Sequence, residues 1–356
     1  MQEPIYQEAL NAYKNPMHEV TVKVLDGGLI NNSFQVSNEE YHYSFLLQRI
    51  NHNVFTNPQD LQDNYQLLWN YIRDNGLDFY IPEPKFFLED KNLYRDSTYN
   101  YWRVFAFIDD SMMLPNANTP EQAKETAKTF AQFTAVFSGL NTELLKETIP
   151  DFHNLGFRYK QFTDSLKKGN AERMKKAFPL LEELKQRARY ANFYDVMTES
   201  EEFPKRVMHH DAKIANILFD KETGSVICPV DFDTVMAGYF FSDLGDMIRS
   251  MACSLDENSI DFENITIRTD FYKAIVDGYL SVMEKQFTAS EKKYIHYAGI
   301  IMIYMQALRY MADYLNGDIY YRTNYPEQNF DRAKNQFILL NKLEDFLESQ
   351  LNYKLI

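Results

Sequence analysis

Apolar and polar positions alternate over the first fifty residues, and this pattern predicts β-strands. The apolar runs that carry it lie at 20–24, 33–36 and 43–47. A period of two is typical of strands that bury one face. A longer apolar run at 101–108 predicts a further buried strand, and the pattern at 58–72 predicts one helix between them. The start of the chain is therefore predicted to be rich in β-structure.

From residue 119 onward the apolar positions recur with a helical period. Thr119 is a candidate helix N-cap, and it is followed directly by a proline, which favours the first helical position. Thr288 and Glu291 have the spacing of a second capping box and predict a long helix over 289–315. A helical insert is also predicted over 158–194. This part of the chain is therefore predicted to be mainly helical.

The two patterns together predict an α+β fold with two lobes. The chain has 356 residues, which exceeds the usual size of a single core, and its 45% hydrophobic content is sufficient for two cores. We expect a small β-rich lobe at 1–108 and a larger helical lobe at 109–356. A short connection is predicted between them, because no flexible or low-complexity linker is visible.

Charge and cysteine content exclude several classes of function. The net charge of −14 argues against a nucleic-acid partner, and a cationic or neutral small molecule is easier to accommodate. Two cysteines, Cys228 and Cys253, are too few for a disulfide framework. We find no secretory signal, and the longest apolar stretch, 298–305, is too short to span a bilayer. These features predict a cytoplasmic protein without a membrane partner, as a monomer or homodimer.

The segment 207–233 carries the most specific chemistry. Asp211 is followed five residues later by Asn216, then by two apolar runs joined by the hairpin signal 221–224, and the second run ends at Asp231. Phosphoryl transfer from ATP needs a carboxylate to orient the acceptor hydroxyl and oxygen ligands for Mg²⁺. An Asp, an Asn and a second Asp supply that set. The alternative is an ordinary solvated hairpin, because the Asp–Asn spacing alone is common by chance.

The composite pattern resembles the catalytic core of protein-kinase-like phosphotransferases, whose small-molecule branch includes aminoglycoside and choline kinases. That branch usually has His-Gly-Asp, where this chain has His209, His210 and Asp211. The resemblance implies a bilobal protein-kinase-like fold with Asp211 as the catalytic base. Asn216 and Asp231 are then implied as the Mg²⁺ ligands.

Two further residues of this region take roles from the resemblance. Lys213 falls where protein kinases place a lysine on the transferred phosphate. Asp243 is expected either to brace the catalytic loop by hydrogen bonds or to serve only as an acid at a helix N-terminus. A non-catalytic nucleotide-binding module remains the alternative function, although it would be expected to have lost one of the three core polar residues.

The same resemblance implies an ATP site in the first lobe. The loop 27–33 is similar to the family's nucleotide loop, although a plain hairpin turn is the alternative. Its candidate ligands are Gly27, Gly28, Asn31, Asn32 and Ser33. Backbone near Phe105 and Phe107, at the end of the buried strand, is expected to bind adenine.

The cation that contacts the α- and β-phosphates is predicted to be Arg49, because no lysine is present on the strand and choline kinases resemble this chain in using arginine. Gln48 is the competing register, which alternation alone does not settle. Leu47 is then expected to face adenine, and Asp63 is the candidate for the acid that pairs with the cation.

The whole chain resembles the N-acetylhexosamine 1-kinases. The resemblance lies in residues 28–31, 47–51 and 313–320. It implies transfer of phosphate from ATP to the anomeric hydroxyl of an N-acetylated hexosamine. Aromatic rings and polar groups near the C-terminus suit a sugar pocket. The candidate substrate residues there, beside Asp211, are Arg309, Asp313, Asp318, Tyr320 and Tyr321. Aminoglycoside kinases and choline- or homoserine-type kinases are the rival interpretations.

Overall fold

The computed structural model describes residues 4–13, 19–25 and 30–356. It divides into two compact units, each described here by itself. The first contains Met1–Met113, Val136–Pro150 and Ile217–Ala237, and the second contains Leu114–Ala135, Asp151–Asn216 and Gly238–Ile356. Two segments from the C-terminal part of the chain therefore belong to the first unit.

Strands dominate the first unit, as the alternating pattern predicts. The strands of the chain are β1 Thr21–Leu25, β2 Asn32–Asn38, β3 Tyr43–Ile50, β4 Pro84–Lys85, β5 Tyr94–Arg95, β6 Tyr101–Ala106, β7 Ser111–Met113, β8 Arg206–Met208, β9 Ile217–Asp220, β10 Val226–Pro229 and β11 Met236–Gly238. A six-stranded antiparallel sheet has the order β1-β2-β3-β6-β4, and β5 also pairs with β6. A second antiparallel sheet has the order β10-β9-β7. The predicted hairpin at 221–224 is confirmed as the turn between β9 and β10.

One face of the six-stranded sheet is covered by the first helix, which together with the sheet forms a buried apolar cluster. The cluster includes Phe34, Phe45, Leu47, Trp102 and Val104. These residues alternate along β2, β3 and β6, so the residues between them point to the opposite face of the sheet. That opposite face carries Gln48 and Arg103.

Helices make up most of the second unit. The helices of the chain are α1 Gln7–Ala12, α2 Pro58–Asp74, α3 Pro120–Val136, α4 Leu155–Lys168, α5 Ala171–Gln186, α6 Ala188–Thr198, α7 Phe241–Met251, α8 Thr269–Met283, α9 Ala289–Lys293, α10 Tyr297–Leu315 and α11 Gln328–Gln350. Helix α10 is buried on nearly every face and packs against α4, α7 and α11. Gly245 lets α7 approach α10 closely, since a Cβ there would lie 2.2 Å from the Ala298 carbonyl oxygen.

The predicted helix caps are confirmed, but the predicted helix length at 289–315 is wrong. The Thr119 hydroxyl accepts from the Gln122 N–H, and Thr288 forms the expected capping box with Glu291. A turn at 294–296 divides the predicted helix into α9 and α10. In this turn the His296 ring hydrogen-bonds the Tyr272 hydroxyl at 2.7 Å. This tertiary contact belongs to the turn, and helical periodicity alone does not reveal it.

The α+β class is confirmed, with strands concentrated early in the chain and helices later. Of the helices within the described ranges, none combines the length and apolarity that a bilayer crossing requires.

Candidate active site

Asp211 lies in the loop after β8, in the second unit, and its carboxylate is held from two sides. The Asn216 side-chain amide donates to the backbone oxygen of Asp211 at 2.9 Å and to its Oδ2 at 2.8 Å. Lys213 Nζ lies 2.9 Å from the same Oδ2. A short 3-10 turn, Ile214–Asn216, brings the amide back to the carboxylate. The five-residue spacing seen in the sequence therefore produces direct contact between Asp211 and Asn216.

A second carboxylate braces this loop. The backbone N–H groups of His209 and His210 donate to the two oxygens of Asp243, at 2.9 and 2.8 Å. Asp243 lies in the first turn of α7 and is fully buried. Of the two roles considered for Asp243, the bracing of the catalytic loop by hydrogen bonds is confirmed.

His210 occupies the position where the related motif has glycine. The conformation of its backbone explains why glycine is usual there. Its φ of +63° lies in the left-handed region that glycine adopts most easily. The two hydrogen bonds to Asp243 and Met208 hold a side-chain-bearing residue there. Gly238 provides space for the ring, because a Cβ at this glycine would lie 2.5 Å from His210 Nε2. The histidine therefore replaces the glycine without changing the register of Asp211.

The carboxylates around the loop differ in their tendency to ionise. Burial raises the pKa of Asp243 to about 7, opposed by the two N–H donors and reinforced by the nearby Asp246 and Asp211. Burial opposes ionisation of Asp211 as well, but Lys213, His209 and Asn216 together hold its pKa below the usual range. Burial also raises the pKa of Asp246, although Arg249 opposes this. Asp211 is therefore ionised at neutral pH, as a base must be.

Because Asp243 holds the loop by hydrogen bonds, we expect kcat/KM to fall on the acidic side of its pH profile. A protonated Asp243 cannot accept both N–H bonds well, so kcat/KM should fall as the pH drops through about 7. Asp211 cannot cause this limb, since its pKa is lowered. The free energy of unfolding should change with pH in the opposite direction to kcat/KM. A carboxyl group whose pKa is raised in the folded protein contributes stability at low pH, and this contribution is lost as the pH rises towards 7.

The measurement is kcat/KM against pH at saturating Mg²⁺, for the wild type and for Asp243→Asn. The variant should be less active and should lack the limb. A limb that persists in the variant belongs to another group, such as Asp246, the nucleotide or the acceptor, and this result would contradict the assignment to Asp243.

Most of the candidate ATP residues that the structure describes lie in the first unit, at the start of β2 and at the end of β3. Gly27 and Gly28 lie outside the described residues. The Asn31 amide donates to Asp233 Oδ2 at 2.6 Å, and its oxygen accepts from the Asn51 N–H at 2.9 Å. Ser33 Oγ accepts from Gln48 Nε2 at 2.9 Å. Asn31 and Ser33 are therefore already part of a hydrogen-bond network within this unit.

Gln48 and Arg49 point to opposite faces of the sheet. Arg49 lies on the side of Phe45 and Leu47, is partly exposed, and donates to the neutral Asn32 Oδ1 at 3.1 and 2.7 Å. Leu47 is fully buried in the cluster under α1, so the expected contact between Leu47 and adenine does not fit its position. Gln48 lies opposite Arg103 and accepts from its Nε at 3.0 Å.

Arg49 stays our prediction for the cation that contacts the nucleotide phosphates. Its guanidinium is held only by a neutral amide among the described residues, so it can form charge-assisted bonds to phosphate. Arg49→Ala is therefore expected to raise the KM for ATP about 10-fold or more, whereas Gln48→Ala should change it less. Thermal unfolding of both variants separates a lost contact from lost stability. A larger KM effect for Gln48→Ala would assign the phosphates to the other face.

An ion pair that the sequence analysis missed lies on the face of Gln48. Arg103 Nη1 is 2.5 Å from Asp233 Oδ1, and both side chains are only 4% exposed. Asp233 also accepts from Asn31, so it connects β6 with the start of β2. A single arginine within an apolar strand is the signal that could have revealed this pair, because a buried guanidinium requires an acid.

The remaining candidates of this unit lie nearby along β6 and α2. The Phe105 ring packs on Tyr65 with a centroid distance of 4.7 Å, and Phe107 is half-buried just beyond β6. Asp63 is exposed and accepts from Gln59 on the same helix at 2.8 Å. Its contact is local, and its pairing with a phosphate-binding cation stays a guess from the sequence.

The two implied Mg²⁺ ligands fit a hard cation. Asn216 uses only its amide nitrogen in the two bonds to Asp211, which leaves its side-chain oxygen for a ligand. Asp231 is exposed and has a φ of +64°, a conformation often held at functional sites. No group of three His, Cys, Asp or Glu side chains within the described ranges is arranged to hold a metal. Each side chain offers an oxygen of the kind that Mg²⁺ binds, and the binding of one ion by both residues stays a prediction.

A cavity of about 340 Å³ in the second unit is lined by four of the candidate acceptor residues, whereas Asp211 and Asp318 are not among its lining residues. Arg309, Tyr320, Tyr321 and Arg158 are among the residues that line it. The guanidinium of Arg309 lies 5.6 Å from the centre of the Tyr321 ring and 5.8 Å from that of Tyr320. Sequence analysis missed Arg158, which lies within the helical insert and carries no motif.

Asp313 and Asp318 use their carboxylates inside the protein. Asp313 is 7% exposed and accepts from the backbone N–H groups of residues 319, 320 and 321 and from Asn329. Asp318 pairs with Arg173 at 2.6 Å and accepts from Asn329 at 2.9 Å. Both acids thus shape the segment that presents Tyr320 and Tyr321, and direct contact with a substrate stays a prediction.

The fold and the Asp211 loop together define a phosphotransferase of the protein-kinase-like class. The model of the Phosphotransferase enzyme family matches residues 21–281, and the chain belongs to this family.

Solved structures share the fold at low sequence identity. An aminoglycoside phosphotransferase from Alicyclobacillus acidocaldarius subsp. acidocaldarius DSM 446 is 16% identical with a TM-score of 0.66, over 99% of this chain and 97% of that one. Spectinomycin phosphotransferase APH(9)-Ia, in complex with ADP and spectinomycin, is 14% identical with a TM-score of 0.55, over 93% and 95%. Choline kinase from Cryptosporidium parvum Iowa II is 15% identical with a TM-score of 0.55, over 96% and 94%.

Proposed function

We propose that this protein is an ATP-dependent sugar kinase that phosphorylates the anomeric hydroxyl of an N-acetylhexosamine. The observation that carries the proposal is the Asp211 carboxylate, positioned by Asn216 and Lys213 on a loop braced by Asp243. The use of ATP is supported by the family and by the ADP bound in the related spectinomycin phosphotransferase.

Asp211 is the base of the proposed reaction. It accepts the proton of the acceptor hydroxyl while that oxygen forms a bond to the γ-phosphorus of ATP. The bond between the γ-phosphorus and the bridging oxygen breaks, and its electron pair leaves with ADP. Lys213, 2.9 Å from the same carboxylate, is placed to contact the transferred phosphate. Asn216 and Asp231 would hold Mg²⁺, which screens phosphate charge when bound.

Two features favour an anomeric hydroxyl of a sugar as the acceptor. An anomeric hydroxyl is more acidic than an ordinary alcohol, which suits a base whose pKa is lowered. The cavity beside Tyr320 and Tyr321 offers aromatic faces for the C–H surface of a pyranose. The resemblance of 313–320 to the N-acetylhexosamine 1-kinases gives the more specific substrate.

The test incubates the purified protein with ATP and Mg²⁺ and a panel of free sugars, aminoglycosides and amino alcohols. Phosphorus NMR of the product should place the phosphate on an anomeric carbon, and the product should no longer react as a reducing sugar. Phosphate on another oxygen, on an aminoglycoside or on an amino alcohol would overturn the proposed acceptor. The Asp211 mechanism would still apply in that case.

A further inference from the structure

The cavity beside Tyr320 and Tyr321 contains two arginines that lack acidic partners. Arg158 donates to the Phe152 carbonyl and to the Gln161 amide oxygen, and Arg309 donates to the Gln306 amide oxygen. No carboxylate of the described residues lies within ion-pair distance of either guanidinium. Arg249 of the same unit differs in this respect, since it pairs with Glu257 at 2.6 Å.

The two guanidinium groups are near enough to repel each other. Burial lowers the pKa of Arg158 to about 10, and the charge of Arg309 contributes to the shift. Both side chains are half-buried, so water screens this repulsion only in part. Asp151 opposes the shift of Arg158 but forms no ion pair with it. Two adjacent, half-buried guanidinium groups with no carboxylate at ion-pair distance are suited to an anion, because a carboxylate or phosphate matches guanidinium donors in charge and geometry.

The acids that line the cavity do not cancel this charge. Asp164 pairs with Lys160 at 2.6 Å and with Lys167 at 3.2 Å, on the exposed side of α4. Asp313 is saturated by its four internal donors. Lys168 also lines the cavity and adds a third cation. The cavity is therefore locally basic, although the whole chain has a net charge of −14.

Aromatic contacts connect this cavity with the catalytic loop. The Arg309 guanidinium lies 5.1 Å from the centre of the Phe152 ring, and the His153 ring stacks on Phe152 at 4.4 Å. His153 lies 5.3 Å from the ring of His210, the residue before Asp211. Burial holds the pKa of His153 well below its usual value, so this ring adds no positive charge. These ring contacts form a continuous path from Arg309 to the residue that precedes Asp211.

We propose that the acceptor is an acidic sugar, whose carboxylate or phosphate group is bound by Arg158 and Arg309. This inference rests on the proposed sugar-kinase function and narrows its substrate class. It disfavours polycationic acceptors such as aminoglycosides, since their ammonium groups would be repelled at this cavity.

The experiment compares sugars that share a ring and a free anomeric hydroxyl but differ in charge. N-acetylglucosamine is neutral, N-acetylmuramic acid adds a carboxylate, N-acetylglucosamine 6-phosphate adds a phosphate, and glucosamine adds a cation. We expect kcat/KM to be about 10-fold or more higher for one of the acidic sugars than for the neutral one. The two acidic probes show whether carboxylate or phosphate is preferred.

Variants then test the residues. Arg158→Gln and Arg309→Gln should each lower kcat/KM for the preferred acidic sugar by about 10-fold or more beyond any loss for the neutral sugar. Lys175→Gln, which removes an exposed cation from α5 of the same unit, should leave both values unchanged. An equal loss for acidic and neutral sugars would indicate a structural role and overturn the inference. Preference of the wild type for the neutral sugar would overturn it as well.

Calorimetric binding of both acidic probes without ATP separates this inference from the proposed function. Binding that is lost in the two arginine variants, without turnover of any sugar, would refute the proposed sugar-kinase function and keep the anion site. Turnover of neutral sugars without preferential binding of either acid would refute the anion site and keep the kinase assignment. The absence of both binding and turnover would refute both.

Discussion

Asp211→Asn is expected to lower kcat about 10²- to 10⁴-fold, because it removes the positioned base while it keeps the size of the side chain. The amide cannot take the proton of the acceptor hydroxyl, and it also loses the ion pair with Lys213. The affinity for ATP should change little, since the candidate nucleotide residues that the structure describes lie on or beside β2, β3 and β6. Single-turnover kinetics and calorimetric ATP binding measure the two effects separately.

Glu222→Gln is the matched control, since Glu222 is an exposed carboxylate in the turn between β9 and β10. It should retain wild-type turnover. Thermal unfolding of both variants checks that the fold is intact. If Asp211→Asn turned over within a few-fold of the wild type, Asp211 would not be the base, and the proposed mechanism would fail at its first step.

Local patterns predicted a large part of the fold. Alternation located β1, β2, β3 and β6, and capping residues located the starts of α3 and α9. The contact between Asp211 and Asn216 was also accessible, because the two residues are five positions apart and one turn joins them. Features of this kind depend on neighbours in sequence, and physical rules for short segments are sufficient to recognise them.

Features that depend on distant residues were much less accessible. The pairing of Arg103 with Asp233 joins residues 130 positions apart, and the sequence around neither residue indicates its partner. The turn between α9 and α10 contacts Tyr272, which lies in another helix. The ring of His210 occupies space that Gly238 leaves. Tertiary contacts determine each of these, so a pattern along the chain does not contain them.

The acceptor region shows a second reason why sequence was insufficient. Asp313 and Asp318 look like sugar ligands in the sequence, yet both carboxylates bind internal donors. Arg158 carries no motif, yet it lines the cavity with Arg309. The type of a residue indicates which groups its side chain offers. Its contacts within the fold determine whether those groups are still available to bind a ligand.

The second large effect is expected for stability rather than for turnover. Arg103→Ala leaves the Asp233 carboxylate buried without its cation, and we expect a loss of about 3–5 kcal/mol in the free energy of unfolding. The Asn31 amide remains as a donor to Asp233, but a neutral hydrogen bond does not replace a full opposite charge. Thermal and urea unfolding should both show the loss, in the transition that reports on the first unit.

Arg73→Ala provides the matched control, because Arg73 pairs with Asp74 while both side chains are 61% exposed. Water screens that pair, so its loss should cost at most about 1 kcal/mol. The double variant Arg103→Met with Asp233→Leu removes both buried charges and should recover much of the stability, since an apolar pair needs no compensation. Equal costs for Arg103→Ala and Arg73→Ala would mean that the pair of Arg103 and Asp233 is not shielded from water. In that case the link from β6 to Asn31 would not stabilise the start of β2.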